Sequence, residues 1–104
     1  MIDQEKLKQQ IIEELRTVYD PEIPVNIYEL GLVYEIKIRD DGYVNIIMTL
    51  TAPGCPVAGE IITEVENKLK KIDGATLVLV QLTFDPPWNQ DMMSEEAKLE
   101  LGFL

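Results

Sequence analysis

The sequence contains no histidine and only one cysteine, Cys55. Without histidine, Ser-His-Asp and Cys-His catalytic arrangements and histidine-ligated zinc sites are excluded, so the usual hydrolase chemistry is disfavoured. One cysteine cannot form an internal disulfide, and a four-cysteine site would need a second chain, a small thiol or other ligands. Polar chemistry therefore depends on one thiol, the carboxylates and the hydroxyls.

Basic residues are also scarce, because 9 Lys and Arg face 19 Asp and Glu, for a formal net charge of −10. Duplex nucleic acid and anionic membranes are therefore poor partners, since both attract clustered basic side chains. The chain shows neither an N-terminal signal pattern nor an apolar run near 20 residues. We expect a single domain over residues 1–104, located in the reducing cytoplasm, with proteins, metal ions or cationic surfaces as partners.

The spacing of apolar residues predicts an α+β fold, a two-layer sandwich in the order α-β-β-α-β with a short C-terminal helix. The predicted elements are a helix over 3–19, strands over 32–38 and 44–50, a helix from Cys55 to about 72, a buried strand over 76–84 and a last helix from Ser94. Asp41-Gly42 predicts the turn of a hairpin between the first two strands. The pattern leaves open whether the third strand lies beside the first or the second.

The segment Thr51-Ala52-Pro53-Gly54-Cys55-Pro56 places the thiol where a strand passes into a helix. Pro56 suits the first position of a helix, which makes Cys55 the predicted N-cap. Unpaired backbone N–H groups and the helix dipole stabilise a thiolate there, the form that attacks electrophiles or binds soft metals. The alternative is a buried structural thiol, which is common for free cysteine.

Three further side chains are candidates for the same chemistry. Asp20 and Glu22 lie two residues apart on a loop stiffened by proline, where they could bind a metal ion or position a proton. Their alternative is ordinary turn chemistry and a solvated carboxylate. Thr51 could donate its hydroxyl to the Cys55 thiolate and lower the thiol pKa, or it could serve only the strand propensity of a β-branched residue.

Asp85-Pro86-Pro87-Trp88 leaves the third strand with the only tryptophan, and Met92 and Met93 follow. Two prolines cannot continue a sheet interior, so the segment is predicted to be an extended exit. Trp88 is a candidate for binding a partner. The alternative, which we favour, is that the segment folds back and caps the core.

Four motifs together resemble one known family. They are Asp20-Pro21-Glu22, the run 30–34 (Leu-Gly-Leu-Val-Tyr), the run 49–56 that ends in Pro-Gly-Cys-Pro, and the run 82–88 that ends in Asp-Pro-Pro-Trp. In this order they are similar to the SufT/PaaD-like iron–sulfur assembly family. The resemblance implies the iron–sulfur assembly fold, a role as an accessory factor rather than an enzyme, and one shared site. It also implies that Asp20, Glu22, Thr51 and Cys55 form that site.

The resulting hypothesis is a factor that matures iron–sulfur proteins, with Cys55 as the metal ligand for transient iron or a cluster. Iron–sulfur assembly proteins and client apoproteins are the expected partners, and paired Cys55 residues would let a homodimer share a cluster. One alternative is a metal-free adaptor between a scaffold and its clients, or an accessory subunit of a metal-dependent oxygenase. A catalytic Cys55 nucleophile with Asp20 as base is the third interpretation, weakened by the absence of histidine.

Overall fold

Helices and strands follow one another in the order predicted from the sequence. A computed structural model describes residues 3–20, 23–51 and 58–102. The elements are α1 (Gln4–Leu15), β1 (Val33–Ile38), β2 (Tyr43–Met48), α2 (Ala58–Lys70), β3 (Leu77–Leu82) and α3 (Glu95–Glu100), with a 3-10 turn at Gln90–Met92 before α3. This arrangement confirms the α+β class. No helix within these ranges is long and apolar enough to cross a membrane.

The three strands form one sheet in the order β1-β2-β3. β1 and β2 are an antiparallel hairpin, whereas β3 runs parallel to β2 after the crossover through α2. The third strand therefore lies beside the second, which the sequence pattern had left open. The buried side chains of α1 and α2 join those of β2 in a single core. They include Leu7, Ile11, Leu15, Val44, Ile46, Met48, Val65 and Leu69.

Helix α1 is shorter than predicted, because it ends at Leu15 rather than near Tyr19. Its start agrees with the sequence, since the Asp3 carboxylate accepts a hydrogen bond from the Lys6 backbone N–H at 3.1 Å. Beyond Leu15, residues 18–19 are bonded to the chain that follows: Val18 accepts from the Ile27 N–H at 2.8 Å, and Tyr19 bridges to Asn26. These tertiary hydrogen bonds replace the helical ones and bring Asp20 onto an extended segment.

Strand β3 is only half-buried, so the prediction of a buried strand was wrong. Val78 and Val80 face the core, but Leu77 and Leu79 are 57% and 41% exposed. The cause is the layer arrangement, because α1 and α2 pack in one core and β3 alternates between a covered and an open face. The sequence of β3 could not reveal this open face, because an apolar run is compatible with a strand covered on one face or on both.

The hairpin turn requires glycine at position 42, because the backbone of Gly74 lies very close to it. Its φ is +89°, and a Cβ added there would lie 2.3 Å from the carbonyl oxygen of Gly74. The Thr76 N–H also donates to the Gly42 carbonyl at 2.9 Å. The β1–β2 turn and the loop before β3 are thus joined at one end of the sheet, and the candidate site lies at the other.

Candidate functional site

Asp20 and Thr51 meet at the end of β2. The Thr51 hydroxyl Oγ1 donates to Asp20 Oδ2 at 3.3 Å, and the Ile23 N–H donates to Asp20 Oδ1 at 3.0 Å. The Asp20 residue is only 6% exposed. Each carboxylate oxygen thus has a donor, which compensates for burying this polar group. Two of the four residues predicted to form a site are therefore in contact.

Two segments bring these side chains together. Thr51 lies three residues beyond the end of β2, and the Thr49 N–H donates to the Leu32 carbonyl at 2.8 Å. Residues 25–27 run beside 18–20, where Asp20 N–H lies 3.4 Å from the Val25 carbonyl. The loop over 23–32 is therefore tied on one side to the residues after α1 and on the other to the end of β2.

Glu22 and Cys55, the other two predicted site residues, lie outside the described residues. The prediction that Cys55 is the N-cap of α2 therefore stays a prediction. The position of Thr51 still bears on its predicted role. Its single hydroxyl hydrogen serves Asp20 in this conformation, so donation to a thiolate would require the hydroxyl to rotate away from the carboxylate. The direct contact of Thr51 is thus with the acid.

A metal ion would need ligands in addition to Asp20. Within the described ranges, no three Asp, Glu or Cys side chains form a group that could hold one. Glu22, two residues after Asp20, and Cys55, four residues after Thr51, are the nearest further donors in the sequence. Such a set would combine hard carboxylate oxygens with a soft thiolate, and thiolate donors favour iron–sulfur clusters and zinc.

Thr49 lies two residues before Thr51, so alternation along the strand places both on the same side of the chain. The residue is 0% exposed, and its hydroxyl has no hydrogen-bond partner among the residues described. An unsatisfied buried hydroxyl costs about 1–3 kcal/mol. Phase alone could not reveal its burial.

Trp88 lies against the core. Its indole Nε1–H donates to the Leu30 carbonyl at 2.7 Å, and the ring packs partly buried beside the main apolar cluster. Neighbouring residues hold the segment down: the Tyr34 hydroxyl donates to the Pro86 carbonyl at 2.8 Å, and the Ser94 N–H donates to the Glu29 carbonyl at 2.8 Å. These contacts favour the core-capping interpretation, and partner binding by Trp88 stays a prediction.

Comparison with known proteins agrees with the fold and the motifs. The "Fe-S protein maturation auxiliary factor" of Porphyromonas gingivalis is 57% identical over 97 residues, which cover 93% of this chain and 92% of that protein. The "Fe-S protein maturation auxiliary factor SufT" of Staphylococcus aureus is 42% identical over 85 residues, covering 82% and 97%.

A solved structure shows that the fold is shared with a known domain. The crystal structure of a domain of unknown function, DUF59, from Bacillus anthracis superposes with a TM-score of 0.87 at 35% identity and covers 96% of this chain and 95% of that one. The sequence profile described as "Iron-sulfur cluster assembly protein" matches residues 8–82. The resemblance seen in the four motifs is confirmed: this chain belongs to the iron–sulfur cluster assembly protein family.

Proposed function

We propose that this protein is an auxiliary factor in the maturation of iron–sulfur proteins. We further propose that Asp20, Glu22, Thr51 and Cys55 form one site, which carries iron or a cluster as its cargo. The family membership and the relatives' names support the role. The observation that supports the site is the Thr51–Asp20 hydrogen bond, because it joins two residues 31 positions apart at the strand end that leads to Cys55.

The chemistry of the side chains suits a carrier more than an enzyme. One thiolate per chain provides weak, exchangeable attachment, which allows cargo to be released to a client. The carboxylates of Asp20 and Glu22 would offset the positive charge of iron beside that thiolate. Thr51 would hold Asp20 in position through the hydrogen bond already seen. A homodimer that shares a cluster through paired Cys55 residues fits this scheme.

Anaerobic reconstitution tests the proposal. The protein is offered ferrous iron and sulfide, and visible absorption and size-exclusion chromatography compare wild type with Cys55→Ser, Asp20→Asn and Thr51→Val. Thr63→Val is a matched control, because Thr63 is exposed on α2. We expect the chromophore to disappear in Cys55→Ser, to weaken in Asp20→Asn and Thr51→Val, and to be unchanged in the control. Circular dichroism verifies that each variant is folded.

A chromophore of equal intensity in wild type and Cys55→Ser would refute cargo binding through the thiol. A colourless wild type would instead favour the adaptor interpretation, in which the protein links an assembly scaffold to client apoproteins or serves an oxygenase complex. In that case, binding to a client apoprotein should survive Cys55→Ser. If folded Trp88→Ala lost that binding, Trp88 would be assigned to the partner surface.

A further inference from the structure

The sheet face opposite the helices presents exposed apolar side chains. In the parallel register of β2 and β3, Asn45 is opposite Leu79, and Ile47 is opposite Gln81. Since side chains alternate along a strand, Leu77, Leu79 and Ile47 share this face. Two large leucines more than 40% exposed on one strand form an apolar surface that the described chain leaves uncovered.

Strand β3 is also an unprotected edge. Its sheet neighbour among the described residues is β2 alone, on one side. The nine residues from Thr76 to Phe84 carry no charge, although 27% of the chain is charged. Edge strands usually carry charges, prolines or bulges that prevent pairing with other chains. The lack of these features within β3 favours pairing with an added extended strand.

An acidic hollow continues this face at one end. It has a volume of about 620 Å³, with apolar lining from Val33, Ile47 and Met92 and carboxylates from Glu35 and Asp85. No basic side chain belongs to the lining within the described residues. Lys37 does pair with Glu35 at 3.3 Å, but both side chains are exposed, so this ion pair is weak.

The hollow lies at the same end of the sheet as the candidate site. Asp85 follows the end of β3, and Thr51 follows the end of β2, which runs parallel to β3. A chain bound along β3 and over the hollow would therefore finish near the strand end that leads to Cys55.

We propose that the β3 edge and the acidic hollow together bind an extended segment of a partner protein. The segment would have apolar side chains at alternate positions, where they cover Leu77 and Leu79. It would carry lysine or arginine at the end beyond β3, where it reaches Asp85 in the lining of the hollow. We favour a basic partner segment over a second copy of the chain, because each copy has a net charge of −10 and would be repelled by the acidic hollow. The inference goes beyond the proposed function and does not depend on Cys55.

Synthetic peptides provide the probe. The test peptide alternates valine and threonine and carries two lysines at each end; a second version replaces the lysines with glutamates, and a third is N-methylated on alternate residues. Binding is measured by fluorescence anisotropy, and chemical shifts of isotope-labelled protein locate the peptide. The variants are Leu79→Thr and Asp85→Asn, with Leu99→Thr on α3 and Glu13→Gln on α1 as matched exposed controls.

We expect the lysine peptide to shift the amides of β3 and of the hollow. Leu79→Thr should weaken binding about tenfold, Asp85→Asn severalfold, and the two controls less than twofold. The glutamate and N-methylated peptides should bind at least tenfold more weakly, and Cys55→Ser should bind like wild type.

Four results would overturn the proposal. The first three are equal binding of the lysine and glutamate peptides, equal losses in the control variants, and a peptide that shifts residues of the helix layer instead. The fourth is self-association of the protein through Leu79, detected by sedimentation and abolished in Leu79→Thr, which would assign the surface to a second copy. A colourless protein in the reconstitution experiment would not change the expected peptide binding. The proposal of cargo binding and the proposal of peptide binding can therefore fail independently.

Discussion

The hydrogen bond and packing of Trp88 predict how much this side chain stabilises the fold. Its indole N–H donates to the carbonyl of Leu30, a residue that is fully buried. Trp88→Phe keeps an aromatic ring but leaves that carbonyl without its donor, so we expect a loss of about 1–2 kcal/mol. Trp88→Ala also removes the packing of a partly buried ring, which raises the expected loss to about 3 kcal/mol.

Urea denaturation followed by far-UV circular dichroism measures these losses, because the substitutions remove the only tryptophan fluorophore. In thermal denaturation the Phe variant should melt about 4–16 °C lower, since each 1 kcal/mol shifts the midpoint by about 4–8 °C in a domain of this size. Leu99→Ala is the matched control, because Leu99 is an exposed apolar residue and its loss should change stability by less than about 0.5 kcal/mol.

A Trp88→Ala variant as stable as the Leu99→Ala control would refute the core-capping interpretation. The ring would then contribute little to folding, and its exposed part would be available to a partner. An intermediate result is also informative: if Phe and Ala lose the same free energy, the hydrogen bond to Leu30 carries the effect and the ring packing does not.

Two further predictions concern backbone geometry and charge. Gly31→Ala should destabilise the protein by about 2 kcal/mol or more in urea denaturation, because Gly31 has φ +78° and an added Cβ would lie 2.2 Å from the Met92 carbonyl oxygen. Gly59→Ala is its control, since nothing lies within 4 Å and alanine favours the helix; a loss as large as that of Gly31→Ala would contradict this reasoning. A side-chain hydrogen bond from Arg39 lowers the pKa of Asp41 from 3.8 to about 2. The contribution of this ion pair to the stability of the fold is therefore complete above about pH 4 and is lost as the pH falls toward 2. NMR titration should show the Asp41 midpoint rising toward 3.8 in Arg39→Gln, and an unchanged midpoint would refute this cause.

The elements were predictable because their signals are local. Helix α3 begins after Ser94 as the sequence indicated, and the Ser94 hydroxyl accepts from the Ala97 N–H at 3.1 Å. In β2, the apolar side chains of Val44, Ile46 and Met48 are buried at alternate positions, as the period of a strand predicts without knowledge of its neighbours. The end of α1 was less predictable, because the hydrogen bonds that replace the helix come from residues 26–27.

The candidate site was also predictable only in part from the sequence. The types of side chain, the motifs and the family resemblance selected Asp20 and Thr51, but reasoning from the residues alone left their meeting open. Contact between them requires the loop over 23–32 to be bonded both to residues 18–20 and to Thr49. These bonds join positions distant in the sequence, and periodicity contains no information on them.

The sequence by itself determined the α+β class, the order of the elements, the family and the shortage of donors other than one thiol, carboxylates and hydroxyls. Composition and local spacing suffice for the fold class, the element order and the available donors, because these depend on which residues are present and on how a helix or strand repeats. The family came from the resemblance of the four motifs. Only the tertiary structure decided that β3 lies beside β2, that Leu77 and Leu79 face an open side, and that Asp20 reaches Thr51. Each of these depends on which layer covers which face, and that is set by contacts between residues far apart in the chain.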